Sequence, residues 1–268
     1  MTKPFPLSGR TVLITGATRG IGREMAEQLI AHGATVLAVA RDEDSLHALA
    51  RAHPGRVHIL AADLGDPEMP GAVANWVAAE HPDCSVLINN AAIMVHARLT
   101  EAPRSHGGEI AREIAVNLAA PIRLSSEMLP VLARQPDAAI VNVSSGLGVA
   151  PIANAAVYCA TKAALRSFTK TLRYQCEDAG ASVLISDAIM TLVDTELSHG
   201  DPEKKIPPDR AAAEVLAGLE AGQREIWVGN TKLLRAIWRL SPALAERVMR
   251  ARTPDRPVRE RPRARKAA

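Results

Sequence analysis

Aromatic residues are scarce in this 268-residue chain, 3% in all with two Tyr, two Phe and three Trp. Cysteine occurs three times, as Cys84, Cys159 and Cys176, with no CxxC pair and no ligand spacing to histidine. Reduced thiols in a cytoplasmic protein are therefore expected, not a disulfide framework. None of the eight histidines falls in an HExxH pattern or another ligand cluster, so no metal is expected. No run approaches eighteen uninterrupted apolar residues, and the stretch from Met1 to Arg10 has no apolar core. A membrane span and a secretory signal are both excluded as expectations. No repeat and no Gly/Ser linker divides the core of the sequence.

What is present is a chain with 47% apolar residues, ordinary for a globular protein and long enough for one large α/β domain. Its net charge of +3 is unevenly placed. Residues 251–268 hold seven Arg/Lys against two acids, which leaves the first 250 residues mildly acidic. Such a tail has little to bury; the preferred reading is a solvated, disordered segment, with RNA or anionic lipid as the other readings.

Short β-branched runs at Thr11 to Thr15, Thr35 to Ala40, Val57 to Ala61, Ser85 to Asn89, Ala139 to Ser144 and Val183 to Ala188 read as strands. Helical periodicity lies between them, near 20–32, 43–52, 69–80, 108–133 and 156–178. Strict alternation of strand and helix means βαβ units and a doubly wound parallel sheet. Val12-Leu13-Ile14 and Val86-Leu87-Ile88 are continuously apolar, as strands buried on both faces must be.

The scarcity of tyrosine gives weight to Tyr158, because Tyr174 is the only other one. Lys162 follows Tyr158 at helical i+4 spacing, and Ser145 precedes it at the end of a strand. A free phenol titrates near about pH 10, and lowering that by about three units takes roughly 4 kcal/mol. A lysine ammonium in a partly desolvated site is expected to supply it, making Tyr158 an acid/base with Ser145 polarising a carbonyl oxygen beside it. An incidental Tyr and Lys on a surface helix is the alternative that this segment alone leaves open.

The first strand runs into Thr15-Gly16-Ala17-Thr18-Arg19-Gly20-Ile21-Gly22 and then a helix. Glycines at 16, 20 and 22 allow a tight turn and a close ligand approach, and a helix N-terminus suits a pyrophosphate. At the end of the second strand, Ala40-Arg41 offers a cation, with Arg19 as another. That favours NADP over NAD, although Asp42 and Asp44 are also in reach of a ribose and Arg41 also suits a solvated helix start.

Together these residues resemble the short-chain dehydrogenase/reductase family over most of residues 8–228. The TGxxxGxG loop spans Thr15 to Gly22, and Asn89-Asn90-Ala91-Ala92 is similar to NNAG with Ala in the last place. Asp63 follows the third strand, Asn117 sits in Val116-Asn117-Leu118, and Ser145, Tyr158 and Lys162 match in order and spacing. The resemblance implies a Rossmann-type sheet of about seven strands in order 3-2-1-4-5-6-7. It also implies hydride transfer between a nicotinamide and a CH-OH or carbonyl carbon, with Asn117, Ser145, Tyr158 and Lys162 as the catalytic set. In the family the tyrosine exchanges the hydroxyl proton, the asparagine holds a water on the proton path, and the aspartate contacts the adenine. Implied cofactor contacts are Gly16, Thr18, Arg19, Gly20, Ile21, Gly22, Arg41, Asp63, Leu64, Asn90, Ala91, Tyr158, Lys162 and Thr195. A homodimer or homotetramer is the family default.

The sequence departs from the family at Met190-Thr191, which stand where a Pro-Gly pair is usual. A missing Pro and Gly change the backbone and the room beside the nicotinamide. This departure motivates a second reading, a catalytically silent NADP-binding sensor or scaffold. A third reading, a peripheral membrane or RNA-binding protein, rests on the charge of the C-terminal tail. Apolar candidates for substrate walls are Met94, Leu147, Ile152, Met190 and Leu192, and Ser198 to Asp209, with Asp201 and Lys204, reads as a mobile lid. Residues 225–250 resemble the C-terminal extension of the DltE-like branch. There Leu233, Leu234, Ile237 and Trp238 form an apolar stripe with Lys232, Arg235 and Arg239 on another face. Packing on its own domain, a subunit contact and a membrane surface are the three readings of that stripe. The expected organisation is a domain at 1–228, a helical extension at 229–250 and a basic tail at 251–268.

Overall fold

Alternating apolar runs and amphipathic stretches fold into one sheet with helices on both faces. The structure is a computed structural model in which residues 4–100, 106–198 and 205–251 are described. Seven strands, β1 (Thr11–Thr15), β2 (Thr35–Ala40), β3 (Val57–Ala61), β4 (Cys84–Asn89), β5 (Ala138–Ser145), β6 (Val183–Met190) and β7 (Glu225–Trp227), form the sheet. Their order is β3-β2-β1-β4-β5-β6-β7, and every pair is parallel. Between and after them run α1 (Gly20–Ala31), α2 (Glu43–Ala52), α3 (Met69–Glu80), α4 (Gly107–Ile114), α5 (Ala120–Leu132), α6 (Ala156–Asp178), α7 (Pro208–Glu220), α8 (Thr231–Leu240) and α9 (Pro242–Ala251). The expected order is the observed one.

Period-2 geometry explains the unbroken apolar strands. Val12, Ile14, Val36, Val86 and Ile88 pack in one layer with Met25, Leu29, Val215 and Leu219 of α1 and α7. Leu13, Leu37, Leu87 and Ile140 point the other way, against Val77 of α3, Leu124 of α5 and Leu172 of α6. Each such leucine or isoleucine, fully buried, contributes about 1.5–3 kcal/mol. The chain reverses its direction of travel between β3 and β4, so β1 and β4 lie side by side with their carboxyl ends splayed around a crevice.

Several elements differ from the sequence expectation. Residues 108–133 do not form one helix; α4 and α5 are joined by a π-helical turn, Ala115–Ala119. Pro121 has no N–H to return to the preceding turn, and the chain widens there. Strand β6 runs two residues further than expected, and strand β7 and helix α7 add to the segments read from periodicity, β7 being only three residues long. Of the expected lid, residues 199–204, with Asp201 and Lys204, lie outside the described residues, as does the basic tail beyond Ala251. Its far end is tied down: Ile206 bridges Val193, Lys205 Nζ donates to the Ser198 carbonyl at 2.6 Å, and Pro208 and Asp209 begin α7.

A buried polar chain ties β4 and β5 to α5 and α6 on one face of the sheet. Asn89 Nδ2 donates to Asn142 Oδ1 at 2.8 Å and to Ser125 Oγ at 3.0 Å, while Asn142 Nδ2 donates to Thr169 Oγ1 at 2.9 Å. Leaving a buried donor or acceptor unsatisfied costs about 1–3 kcal/mol each. Asn142→Ala is expected to lower unfolding free energy by about 2–4 kcal/mol in urea titrations, since Asn89 and Thr169 both lose a partner; a change under about 0.5 kcal/mol would contradict this role.

Candidate active site

The carboxyl ends of β1, β2, β4, β5 and β6 open into one cleft with a cavity of about 1000 Å³. At one end, Gly16, Thr18, Arg19, Gly20, Ile21 and Gly22 wrap the N-terminus of α1. A Cβ on Gly22 would lie 2.1 Å from the Gly16 carbonyl oxygen, and Gly16 and Gly20 have φ of +69° and +54°. Only glycine fits this loop. No side chain caps α1 and no acid occupies its first turn, so its free N–H groups and partial positive charge are left for an anion. Thr15 Oγ1 accepts from both Asn90 N and Ala91 N at 3.0 Å, and Asn90 Nδ2 donates to the Thr15 carbonyl at 2.9 Å. These bonds lock the glycine loop to the end of β4.

Arg41, Asp42, Asp63 and Leu64 line the next stretch. Asp42 is spent as the N-cap of α2, accepting from Ser45 N at 3.1 Å and Ser45 Oγ at 2.7 Å, and these bonds lower its pKa. Asp44 does not line the cleft. Arg19 pairs with Glu196 across the cleft, joining the glycine loop to the segment after β6. Asp63 accepts from Arg112 Nη2 at 2.7 Å and from Gly65 N at 3.0 Å. Burial raises its pKa, but these bonds and the charges of Arg112 and Arg41 outweigh it, and the carboxyl sits below its ordinary range.

At the other end stand Ser145, Tyr158 and Lys162, all buried. Ser145 ends β5, and its Oγ accepts the Leu147 N–H at 3.1 Å, which leaves its own proton free to donate. Gly148 brings this loop against α6: a Cβ there would meet the Lys162 carbonyl carbon at 2.8 Å and Ala163 N at 2.9 Å. Lys162 Nζ donates to the Val143 carbonyl at 2.8 Å and stands 5.6 Å from the centroid of the Tyr158 ring. Burial lowers the lysine pKa to about 8, against the pull of Asp187 and Glu113. Asp187 lies behind it, bonded to Ser144 and to Arg166 Nε at 2.9 Å.

One sequence expectation is corrected here. Burial raises the Tyr158 pKa above its ordinary value, and the hydrogen bond to Ser145 recovers only part of that. Lys162 does not lower it, because its ammonium is turned to the Val143 carbonyl and shared with Asp187 and Glu113. Asn117 is brought to the site by the π-helical turn, but its amide is committed to Ile93, accepting from its N–H at 2.9 Å and donating to its carbonyl at 2.7 Å. It clamps the loop after β4.

Met190 and Thr191 fit without distortion. With no proline at 190, β6 continues and Met190 pairs with Ser145. Gly229, at φ +56°, yields the room taken by Thr191, whose Cγ2 would be 2.9 Å from a Cβ there. Thr195 sits against Gly20 and lines the cleft. Apolar walls come from Met94, Leu147, Ile152, Met190 and Leu192, with Leu233, Leu234, Ile237, Val248 and Met249 of α8 and α9 added. Part of the stripe on α8 packs on its own domain: Leu234 and Trp238 join Val149, Ile189 and Trp227, while Leu233 stays 64% exposed. Sequence reasoning missed Glu113, Asp187, Arg112 and Gly148. For Gly148 the two-residue spacing from Gly146 after Ser145 was a usable signal; the three charged residues gave none.

The model of the short chain dehydrogenase family matches residues 10–205. The chain belongs to this family. It is 36% identical over 226 residues to the oxidoreductase DltE of Bacillus subtilis (strain 168), covering 82% of this chain and 88% of that one. A short chain dehydrogenase from Burkholderia cenocepacia J2315, solved in complex with NADP, superposes with a TM-score of 0.80 at 27% identity, over 93% of this chain and 100% of that one. A family member from Burkholderia phymatum, solved with NAD, shares the fold with a TM-score of 0.79 at 21% identity, over 95% of this chain and 100% of that one. Membership makes the chain an oxidoreductase of this family. Among the described residues no group of three or more His, Cys, Asp or Glu could hold a metal, and no helix is long and apolar enough to cross a membrane.

Gly148→Ala is expected to push the Ser145 loop off α6, at a cost of about 1–3 kcal/mol. Thermal unfolding checks it: the variant should melt several degrees lower, and an unchanged melting temperature would contradict the close approach.

Proposed function

We propose that the protein interconverts an apolar ketone or aldehyde and its alcohol, using NADP(H). The observation that carries this reading is a single cleft holding an anion-binding glycine loop with two cations at one end and Ser145, Tyr158 and Lys162 at the other. The residues fit a dinucleotide: the α1 N-terminus would hold the pyrophosphate, and Arg41 with Arg19 the 2'-phosphate. Asp63 and Leu64 would flank the adenine, and Asn90, Ala91, Thr195, Tyr158 and Lys162 the nicotinamide half. With Asp42 tied to α2 as its N-cap, Arg41 is the cation beside it at the end of β2, which supports NADP over NAD. When bound, the cofactor supplies or accepts the hydride.

The chain's own groups manage the proton. Ser145 donates its free proton to the carbonyl oxygen and holds it beside the Tyr158 hydroxyl, which transfers its proton as charge develops there. Lys162, whose ammonium turns to the Val143 carbonyl, would hold the nicotinamide ribose. Walls made of methionine, leucine and isoleucine exclude water and favour an apolar substrate. Intact pairing of Met190 with Ser145 keeps the strand ladder regular beside the site, which supports the enzyme reading over a catalytically silent sensor. The enclosed, unbridged thiols of Cys84, Cys159 and Cys176 suit a cytoplasmic setting. A homodimer or homotetramer is the proposed assembly, by analogy with the family.

Tyr158→Phe is expected to cut turnover of an aryl or alkyl ketone by at least about 100-fold, with NADPH affinity within about twofold of wild type. Absorbance of NADPH across a carbonyl panel checks this; a variant as active as wild type, or a wild type that binds NADPH and reduces nothing, would contradict it. Arg41→Ala should weaken NADPH binding about 10- to 100-fold and leave NADH nearly unchanged, because one charge-assisted bond is worth about 1.5–3 kcal/mol. Fluorescence titration with both nucleotides distinguishes that from a general loss.

A further inference from the structure

Helices α8 and α9 wall one side of the cleft, and their outer surface is apolar where it meets solvent. Leu233, Leu240, Leu244 and Val248 are four of the seven large apolar side chains exposed among the described residues, and Leu240 is 88% exposed. Such a concentration on two adjacent helices marks an interaction surface. On α8, Leu234 and Trp238 turn inward to Val149, Ile189 and Trp227, while Leu233 and Leu240, two turns apart, share the outer face. On α9, Ala245 and Met249 turn inward to Ala150, while Leu244 and Val248, one turn apart, stay outside. Leu233 and Val248 also line the cleft, so they stand on its rim, and Leu240 and Leu244 flank the turn between the helices. Charge decides what covers this face. Over residues 231–251 five Lys/Arg stand against one acid, Glu246, and the sequence beyond adds seven against two. Glu214 answers Lys232 and Glu225 answers Arg235, but among the described residues no salt bridge reaches the exposed Arg239, Arg247 and Arg250.

We propose that α8 and α9 dock on the surface of an anionic lipid bilayer, with Leu233, Leu240, Leu244 and Val248 at the acyl chains and Arg239, Arg247 and Arg250 at the lipid phosphates. Each helix has 10 residues, which makes it about 15 Å long against a hydrocarbon core of about 30 Å, so the pair lies in the interface and does not span it. Exposed leucines bordered by unpaired arginines are what such a surface holds. A second copy of the chain fits less well, because a two-fold contact sets the patch against itself and leaves only Glu246 to answer the arginines. A nucleic acid also fits less well: Trp238, the one aromatic residue of these helices, packs inward and offers bases no ring to stack on. Because Leu233 and Val248 belong to both rim and cleft, docking turns the mouth of the cleft to the lipid. With the function proposed above, on which this consequence rests, an apolar ketone dissolved in the bilayer would enter without crossing water.

Flotation of the full chain with lipid vesicles tests the docking. Wild type is expected to bind vesicles of about two parts phosphatidylcholine to one part phosphatidylglycerol, and to bind phosphatidylcholine alone at least about 10-fold more weakly. Leu240 and Leu244 do not line the cleft. Leu240→Ser combined with Leu244→Ser should therefore weaken binding to the anionic vesicles about 10-fold, with melting temperature and NADPH affinity unchanged. Arg239→Gln, Arg247→Gln and Arg250→Gln together should weaken it at least about 10-fold as well, and they carry the comparison if the leucine variant does not fold. A wild type that stays with the buffer would overturn the docking. So would a leucine variant that floats like wild type, since attachment would then rest on the charge of residues 252–268 alone. A leucine variant that changes the sedimentation velocity of the protein and not its flotation would give the face to a second copy, and binding of single-stranded RNA in place of vesicles would give it to nucleic acid; either result overturns the proposal. Flotation needs no turnover, so a wild type that reduces no ketone would sink the proposed function while the docking stands or falls on the vesicles.

Discussion

A positive charge with almost no access to water, the ammonium of Lys162, is the constraint on which the rest of the site depends. Burying it costs free energy, seen as a pKa drawn down to about 8, and the fold offsets that cost from three directions. The Val143 carbonyl accepts its proton from β5, Asp187 faces it from β6 and Glu113 from α4. Each partner sits on a different element, so the charge fixes the spacing of strand, strand and helix around it. Gly148 makes this possible by letting the Ser145 loop touch the α6 backbone at Lys162 itself.

The two ends of the cleft are coupled through the sheet. Thr15 and Asn90 bind the glycine loop to β4, Asn89 and Asn142 bind β4 to β5, and β5 ends in Ser145. A dinucleotide held at the α1 N-terminus, as proposed, would have its far end set by this short run of hydrogen bonds and strand register. The unusual Met190-Thr191 pair belongs to the same frame: Met190 continues the ladder opposite Ser145, and Gly229 gives way to Thr191.

Most of the sheet was legible because parallel strands buried on both faces leave unbroken apolar runs, and the glycine loop, Ser145, Tyr158 and Lys162 were legible because their spacing is tied to single elements. Three things were not. The short β7 carries too few residues to show a period, and the π-helical turn at Asn117 leaves the helical pattern of 108–133 intact while widening the backbone. Electrostatics was the third: the i+4 spacing of Tyr158 and Lys162 showed that they share a face but not that Nζ turns to Val143. The partners that redirect it, Asp187 and Glu113, lie far off in sequence and meet the lysine only in the folded chain.

It follows that the ammonium alone does not make Tyr158 acidic; a further positive charge is required, and oxidised nicotinamide would bring one into the cleft. Tyr158 and Tyr174 are the only tyrosines, and Tyr174 is half exposed, so a Tyr174→Phe protein reports on Tyr158 alone. Titrating its phenolate absorbance with and without NADP⁺ is the direct test. The account predicts a pKa above about 10 in the protein alone and below about 8 with the nucleotide bound. A phenol that still titrates at or above about 10 in the complex would contradict the proposed role of Tyr158 as the proton donor.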